Sequence, residues 1–467
     1  MIAIARDVVR KFRTVARKCL AGRPLGPAPP VVCRVRAGTL MLWTRIDSVG
    51  LRFAAPTDQR DAVLVVPMAA FAAIEGPGTD VVTLSCDRKL QGTATWSDRG
   101  VPQTHLFTAL MPGKQHAIPD LPVGMSPVTP EFLIALHECG KTAARDSGRF
   151  VLNHVQIRGK AGQVIATDAK QALVLGGFAF PFERDILVPA IPAFGCRELA
   201  EEAEIRVGHS ATELIVACGP WSVWLPVNAE GRYPDVASIL PKPGTGTAAR
   251  LDDSIAAELL RLLPALPGAK DEGQPVTIDL EADLVVRGSD EATGLVREHA
   301  LPASVAGPGK STAVDRSVLV RALALGCRTI RIHPVMNSVI FEGPNRTLVV
   351  AALDAASIVP RPDSARRPPA NPTAVPPALP PILERSVPVK SPETNGTSAN
   401  GKHEPPPLTE DGLDPLAEAE ALRLAVAEVG TRLGRLIAAL RSSRKEKKVL
   451  ANVWAGLKQL NLGGGAQ

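Results

Sequence analysis

Arg6, Arg10, Arg13 and Arg17 return every three or four residues near the start of this chain, with Lys11 and Lys18 beside them and Arg23 just beyond. A row of cations at helical spacing can neutralise the phosphates of a nucleic acid without reading its bases. The same spacing describes a solvated helix face. Only Asp7 interrupts the row, however, and four arginines in register exceed what solubility requires, so phosphate contact explains them better. A second set, His137, Lys141 and Arg145, aligns at i, i+4 and i+8 and is expected on the same surface; Arg316 and Arg321 are weaker members. Asp252, Asp253 and Glu258 make one later helix acidic, which argues against a uniformly basic surface.

Other chemistries find less support. Gly309-Lys310-Ser311-Thr312 is like the end of a phosphate-binding P-loop, but the glycine needed five positions before Gly309 is Ser304. No H-E-x-x-H, G-x-S-x-G or comparable catalytic spacing occurs. The seven cysteines are scattered, odd in number and never spaced C-x-x-C. That pattern argues against a disulfide framework or a zinc site and fits a reducing cytoplasm. The expectation is a non-catalytic protein with no cofactor and no metal.

The elements that would carry these residues follow from length and pattern. A chain of 467 residues suits about three domains. An apolar fraction of 45% allows a sizeable core, which must rest on Val, Leu, Ile and Ala because aromatics make up only 4%. The net charge of +6 is modest and predicts no nucleic-acid binding unless the positive charge is clustered. No apolar run approaches the roughly 18 residues of a membrane span. The Arg-rich N-terminus has the character of a transit peptide, but its pattern continues as an ordinary helix and it is read as mature structure.

A loose threefold pattern, with a period of about 115–120 residues, occupies the first 360 positions. Each third opens on an amphipathic helix, at 5–20, 129–145 and 251–266, with Ile4, Val8, Phe12, Val15 and Cys19 marking the core face of the first. Short strands follow, then a second helix near 67–74, 189–202 and 315–326, then more strands. This is an α+β protein of three similar units, at 1–122, 123–247 and 248–360. Beyond lies a Pro-rich stretch, 361–412, expected to be a disordered linker because it cannot bury enough apolar surface to offset its ordering entropy. Residues 413–462 then read as an amphipathic helix capped by Asp414-Pro415. In it Leu422, Val426, Val429, Leu433, Leu436 and Leu440 repeat in nearly three coiled-coil-like heptads, followed by the basic run Arg441 to Lys448.

Two passages point to a family. Gly148-Arg149-Phe150-Val151-Leu152-Asn153-His154-Val155, followed by Val164-Ile165-Ala166-Thr167-Asp168, resembles the "RY-x-LNG…ATDGHRL" passage of the bacterial sliding clamp, the DNA polymerase III beta subunit. Glu230-Gly231-Arg232-Tyr233-Pro234-Asp235 with Ile239-Leu240-Pro241 resembles its "EGRFPDY…LP" segment, in the same order and at similar spacing. Gly22-Arg23-Pro24, the stretch His105 to Pro112, and the strand Thr347 to Leu353 agree with the flanking parts of that family. The resemblance covers roughly residues 1–357.

It implies three tandem clamp domains per subunit, with helices lining a channel and sheets outside. Two subunits would join head to tail as a homodimer ring around double-stranded DNA, bound without regard to sequence, in the cytoplasm at the nucleoid. Residue by residue, it implies a partner-peptide groove for polymerase and clamp loader that includes Leu152, Thr167, Ala172, Pro241, Val349, Val350 and Ala351. Ala172 and Ala351 stand where the family has Leu and Met, and Ala169-Lys170-Gln171 replaces its "GHR", so the groove should be wider. The ring interface would include Leu106 and Thr108, where the family has a larger aromatic and a leucine. Gln459-Leu460-Asn461-Leu462 resembles the start of the peptide that clamp partners insert. These departures and the tail also leave open a non-replicative paralogue, an interaction scaffold that keeps the fold without efficient ring closure.

Overall fold

One order of elements occurs three times: a strand, a helix, three or more strands, a second helix, then three strands. The first repeat runs β1 (Ile2–Ala5), α1 (Arg6–Leu20), β2 (Val31–Arg36), β3 (Thr39–Ile46), β4 (Val49–Pro56), β5 (Ala62–Val66), α2 (Met68–Ile74), β6 (Val81–Cys86), β7 (Gln91–Asp98) and β8 (Val101–Thr108). The second runs β9 (Ser126–Val128), α3 (Glu131–Thr142), β10 (His154–Arg158), β11 (Gln163–Thr167), β12 (Gln171–Gly176), β13 (Asp185–Pro189), α4 (Arg197–Ala200), β14 (Ile205–His209), β15 (Glu213–Cys218) and β16 (Trp221–Pro226). A short α5 (Val236–Ile239) leads into the third: β17 (Thr247–Arg250), α6 (Asp253–Leu262), β18 (Pro275–Leu280), β19 (Leu284–Ser289), β20 (Val296–Leu301), β21 (Ser304–Ala306), β22 (Lys310–Asp315), α7 (Arg316–Ala324), β23 (Thr329–Ile332), β24 (Ser338–Gly343) and β25 (Arg346–Ala351).

The computed structural model describes residues 1–20, 28–46, 48–145, 150–202, 204–240, 244–271, 273–335 and 337–361, without the side chains of Leu20, Ile46, Ala237 and Ile239. The chain divides into two units, Met1–Asn371 and Pro372–Gln467, and the described residues all belong to the first. The expected linker and tail helix, the segment Gln459–Leu462, Arg23 and Pro241 lie outside the described residues.

Local chemistry accounts for the helices. In α1 the side chains of Val9, Phe12, Val15, Ala16 and Cys19 are fully buried, as the three-to-four spacing requires. Asp252 and Asp315 cap α6 and α7, their carboxylates accepting from the amides of Ile255 (2.8 Å) and Ser317 (2.7 Å). The helix expected over 189–202 is shorter. Pro192 opens a 3-10 turn through Gly195, and the extended backbone of Cys196 separates that turn from α4. The P-loop-like residues Lys310 to Thr312 sit in β22, paired to β18, and not in a loop.

The sheets join the repeats. Each repeat contributes two sheets of four strands, one of them extended by β21 in the third, and in the first two repeats the third strand after the first helix pairs with the last strand of the next repeat. Thus β4 pairs with β16 (Phe53 opposite Trp221, Gly50 opposite Trp224), closing an eight-stranded sheet. Likewise β12 pairs with β25 (Gln171 opposite Val350, Ala172 opposite Val349) in a nine-stranded sheet. Aromatic packing reinforces the first junction, with the ring of Trp221 4.8 Å from Phe53 and 6.3 Å from Phe12, and Trp43 edge-on to Trp224 at 5.0 Å.

Two four-stranded sheets remain, β1-β6-β7-β8 and β20-β19-β18-β22. Their outer strands are not equally open. The Gln59 side-chain amide pairs with both the N–H and C=O of Ala3 and blunts β1 (2.6 and 2.9 Å), while the Leu353 amide donates to Ala313 beside β22 (2.8 Å). By contrast β8 and β20 pair on one side only, among the described residues.

Trp221 is 3% exposed and packs where two repeats meet. Trp221→Ala is expected to cost about 3–5 kcal/mol, the usual result of emptying an aromatic core site, and urea unfolding of the purified variant checks it.

Candidate nucleic-acid face, peptide groove and ring edges

The arginine row of α1 divides into an inner and an outer pair. Arg6 is only 7% exposed. Its Nε donates to the Ile74 carbonyl and an Nη to that of Glu75 (both 3.1 Å), closing the C-terminal end of α2. Its guanidinium also lies over the Trp96 ring, 5.5 Å from the centroid, and 3.7 Å from Asp98. Arg6 is a packing residue, and the expectation that it meets DNA is corrected. Arg13, seven residues on and so on the same side of the helix, is half-buried and ion-paired with Glu75. Arg10, Arg17 and Lys18 are exposed on the outer side, and Lys11 is exposed but paired with Asp7 (3.0 Å). The three-to-four rhythm that suggested one stripe spans the border between the core face and solvent, so half of it turns inward.

The second set also separates. Lys141 on α3 and Arg145 just after it are exposed, the former bound to Glu138 (2.7 Å). His137 turns inward; burial and then the nearby Lys141 hold its pKa below the usual imidazole value. Arg316 is buried, donating to the carbonyls of Leu266 and Pro267. Arg321 reaches from α7 across to α3, donating to the Glu138 carboxylate (2.9 Å), the Glu138 carbonyl (2.6 Å) and the Thr142 hydroxyl (2.7 Å). Burial pushes the Glu138 carboxyl up, but hydrogen bonds from Lys141 and Arg321 outweigh it and hold the group below the ordinary range. The two α7 arginines are therefore structural.

A cavity of about 230 Å³ opens where β12 meets β25. Thr167, Ala172, Val349 and Ala351, all expected there, line it. So do Ala169 and Lys170 of the turn before β12, Gln171 at its start, Leu240 after α5, and Asn337 and Ser338 at the start of β24. Side chains alternate along a strand, so Val349 and Ala351 face the cavity while Val350 points into the core. Val350 is buried in the core, and Leu152, half-buried, does not line this cavity and accepts a bond from the Ala144 amide (2.9 Å). Asn337 and Ser338 carry no sequence signal of their own; only the β24–β25 register brings Ser338 opposite Ala351.

The floor of the groove explains the Glu-Gly-Arg-Tyr-Pro-Asp motif. Tyr233, the chain's single tyrosine, packs with Leu240 against Ile165, Ala172, Val174 and Val236. Its hydroxyl accepts from the Thr167 amide (3.1 Å) and donates to the His154 carbonyl (3.4 Å). The rim turn is held by the Asp168 carboxylate, which accepts from the amides of Lys170 and Gln171 (both 2.8 Å). Within that turn Ala169 has φ 74°, a left-handed conformation that a Cβ disfavours.

At the open strand edges, Leu106 is 72% exposed on β8 and Thr108 is exposed beside it. Val101 on β8 and Leu295 and Val296 at the start of β20 are also exposed. Unpaired strand edges carrying apolar side chains invite pairing with another chain. Among the described residues no group of His, Cys, Asp or Glu could hold a metal ion, and no helix is long and apolar enough to cross a membrane.

The strain at Ala169 makes a specific prediction. Ala169→Gly is expected to raise stability by about 0.5–1 kcal/mol, because relief of the left-handed strain exceeds the added chain entropy. A rise in the urea midpoint at unchanged slope checks it.

No family model and no curated protein matches the sequence. Solved structures do. The DNA polymerase III subunit beta of Pseudomonas aeruginosa aligns with 75% of this chain and 99% of its own at 15% identity and a TM-score of 0.59. The beta subunit of Thermotoga maritima aligns with 76% of this chain and 99% of its own at 14% and 0.59. A putative beta subunit from Eubacterium rectale covers 75% and 99% at 10% and 0.60. The three repeats of this chain therefore have the fold of the bacterial DNA polymerase III beta subunit, the sliding clamp.

Proposed function

We propose that this chain is a DNA sliding clamp, a non-catalytic processivity factor whose two copies close head to tail around duplex DNA. The observation that carries the reading is the strand rule of the repeats. The third strand after the first helix pairs with the last strand of the following repeat at β4–β16 and at β12–β25. The next pair in that series is β20 with β8, and both of those edges are open. A second copy can satisfy them, and doing so twice closes a ring of six repeats with no free edge of this kind.

Inside the ring, Arg10, Arg17, Lys18, Lys141 and Arg145 would meet phosphates and hold the duplex without reading its sequence. The cavity between β12 and β25 would take short peptides of DNA polymerase and clamp loader. Clamps of Pseudomonas aeruginosa and Bartonella birtlesii have been solved with griselimycin bound, and we expect that compound to occupy the same cavity here. The protein would act in the cytoplasm at the nucleoid. A scaffold without efficient ring closure is the second reading. It is favoured by the inward turn of Arg6 and Arg13 and by the acidic Asp252, Asp253 and Glu258 at α6.

Topology separates the two. A clamp loaded onto nicked circular DNA is expected to stay bound through a high-salt gel-filtration column and to be lost when the circle is linearised. Leu106→Asp, which sets a charge on the open edge, should abolish retention on circles. Equal loss from circular and linear DNA would establish the scaffold instead.

A further inference from the structure

We propose that Arg321, although it belongs to the third repeat, is a positioning residue for the peptide groove of the second. This assignment rests on the groove reading given above.

The guanidinium of Arg321 spends two of its nitrogens on α3, through the carboxylate and carbonyl of Glu138 and the hydroxyl of Thr142. Its remaining nitrogen faces the side-chain oxygen of Gln171 at 3.5 Å. Gln171 is a rim residue of the cavity. Its amide nitrogen donates to Asp168 (3.1 Å), its main-chain N–H donates to the same carboxylate, and its carbonyl accepts from the Thr167 hydroxyl (2.7 Å). The side chain of Gln171 thus bridges two anchors, the Asp168 turn on one side and Arg321 on the other. Because Glu138 also holds Lys141 (2.7 Å), Arg321 is fixed at its far end by a helix packed beneath the sheet.

The physical consequence concerns order. The rim carries the strained Ala169 and the exposed Lys170, and has no large apolar side chain to pin it. A ligand that must first order a loop loses affinity to that cost. Arg321 meets the cost in advance, from a part of the chain 150 residues away. The planar fork of arginine suits this task, because it can serve three acceptors on α3 and still face Gln171; a lysine is a point donor without that geometry.

The test is a double-mutant cycle in the full-length chain, read by calorimetric titration with griselimycin. Arg321→Ala is expected to weaken binding about fivefold, the worth of one hydrogen bond, when Gln171 is present. In a Gln171→Ala background the same change should have less than about a twofold effect, since the contact it removes is already gone. Arg321→Lys should match Arg321→Ala in affinity while keeping the melting temperature of the wild type. A purely structural role would move the melting temperature and leave binding losses equal in both backgrounds, and that result would overturn the assignment alone. Failure of the wild-type chain to bind griselimycin, or binding that an Ala351→Trp variant leaves untouched, would overturn the groove reading and the assignment with it.

Discussion

The structure depends on main-chain pairing across the boundaries between repeats. A small αβ unit of this kind buries one face of each sheet against its helices and leaves two strand edges exposed. Here the edges of successive repeats satisfy each other, β4 with β16 and β12 with β25, so that two boundaries become the interiors of long antiparallel sheets. Helices of neighbouring repeats then touch, with Arg321 of α7 bonded to Glu138 and Thr142 of α3. Everything proposed for function follows from that arrangement. Exposed cations stand on α1 and α3, a cavity opens at a strand junction, and the edges of β8 and β20 are open.

The same arrangement decides which polar residues are free to act. A guanidinium at the edge of a helix can reach either solvent or the next helix, and the neighbouring carbonyls settle the matter. Arg6 closes the end of α2, Arg316 holds the carbonyls of Leu266 and Pro267, and Arg321 fastens α7 to α3. In the sheet β20-β19-β18-β22 of the third repeat, Arg287 is buried against Asp279 and Glu298 (both 3.0 Å) and also donates to the Val359 carbonyl (3.2 Å). These arginines tie elements together and do not present their charge to solvent.

Much of the fold could be read from the sequence because helix and strand periods are local. The first helix of every repeat, the strands between, and the Glu-Gly-Arg-Tyr-Pro-Asp and Ala-Thr-Asp passages stand out as such. Thr167, Ala172, Val349 and Ala351, each carried by a motif of the sequence, line the cavity at β12–β25, whereas Ser338 and Asn337 enter it only through pairing register, a long-range property. Strand alternation, which the sequence does contain, separates the buried Val350 from Val349 and Ala351 on the cavity side. The division of the arginine row could not have been foreseen, since a spacing of three and four places residues on an arc wide enough to straddle the boundary between core and solvent. The strain at Ala169 was foreshadowed by a family glycine standing at that position.

The central claim is that β8 and β20 complete each other between two copies. Hydrogen exchange of the backbone amides along these two strands, followed by mass spectrometry over a range of protein concentrations, tests it most directly. Slowing of exchange in both strands together as concentration rises, while β1 and β22 stay unchanged, is the result expected. Fast exchange along β8 and β20 at every concentration, including those at which the protein is retained on circular DNA, would contradict the account.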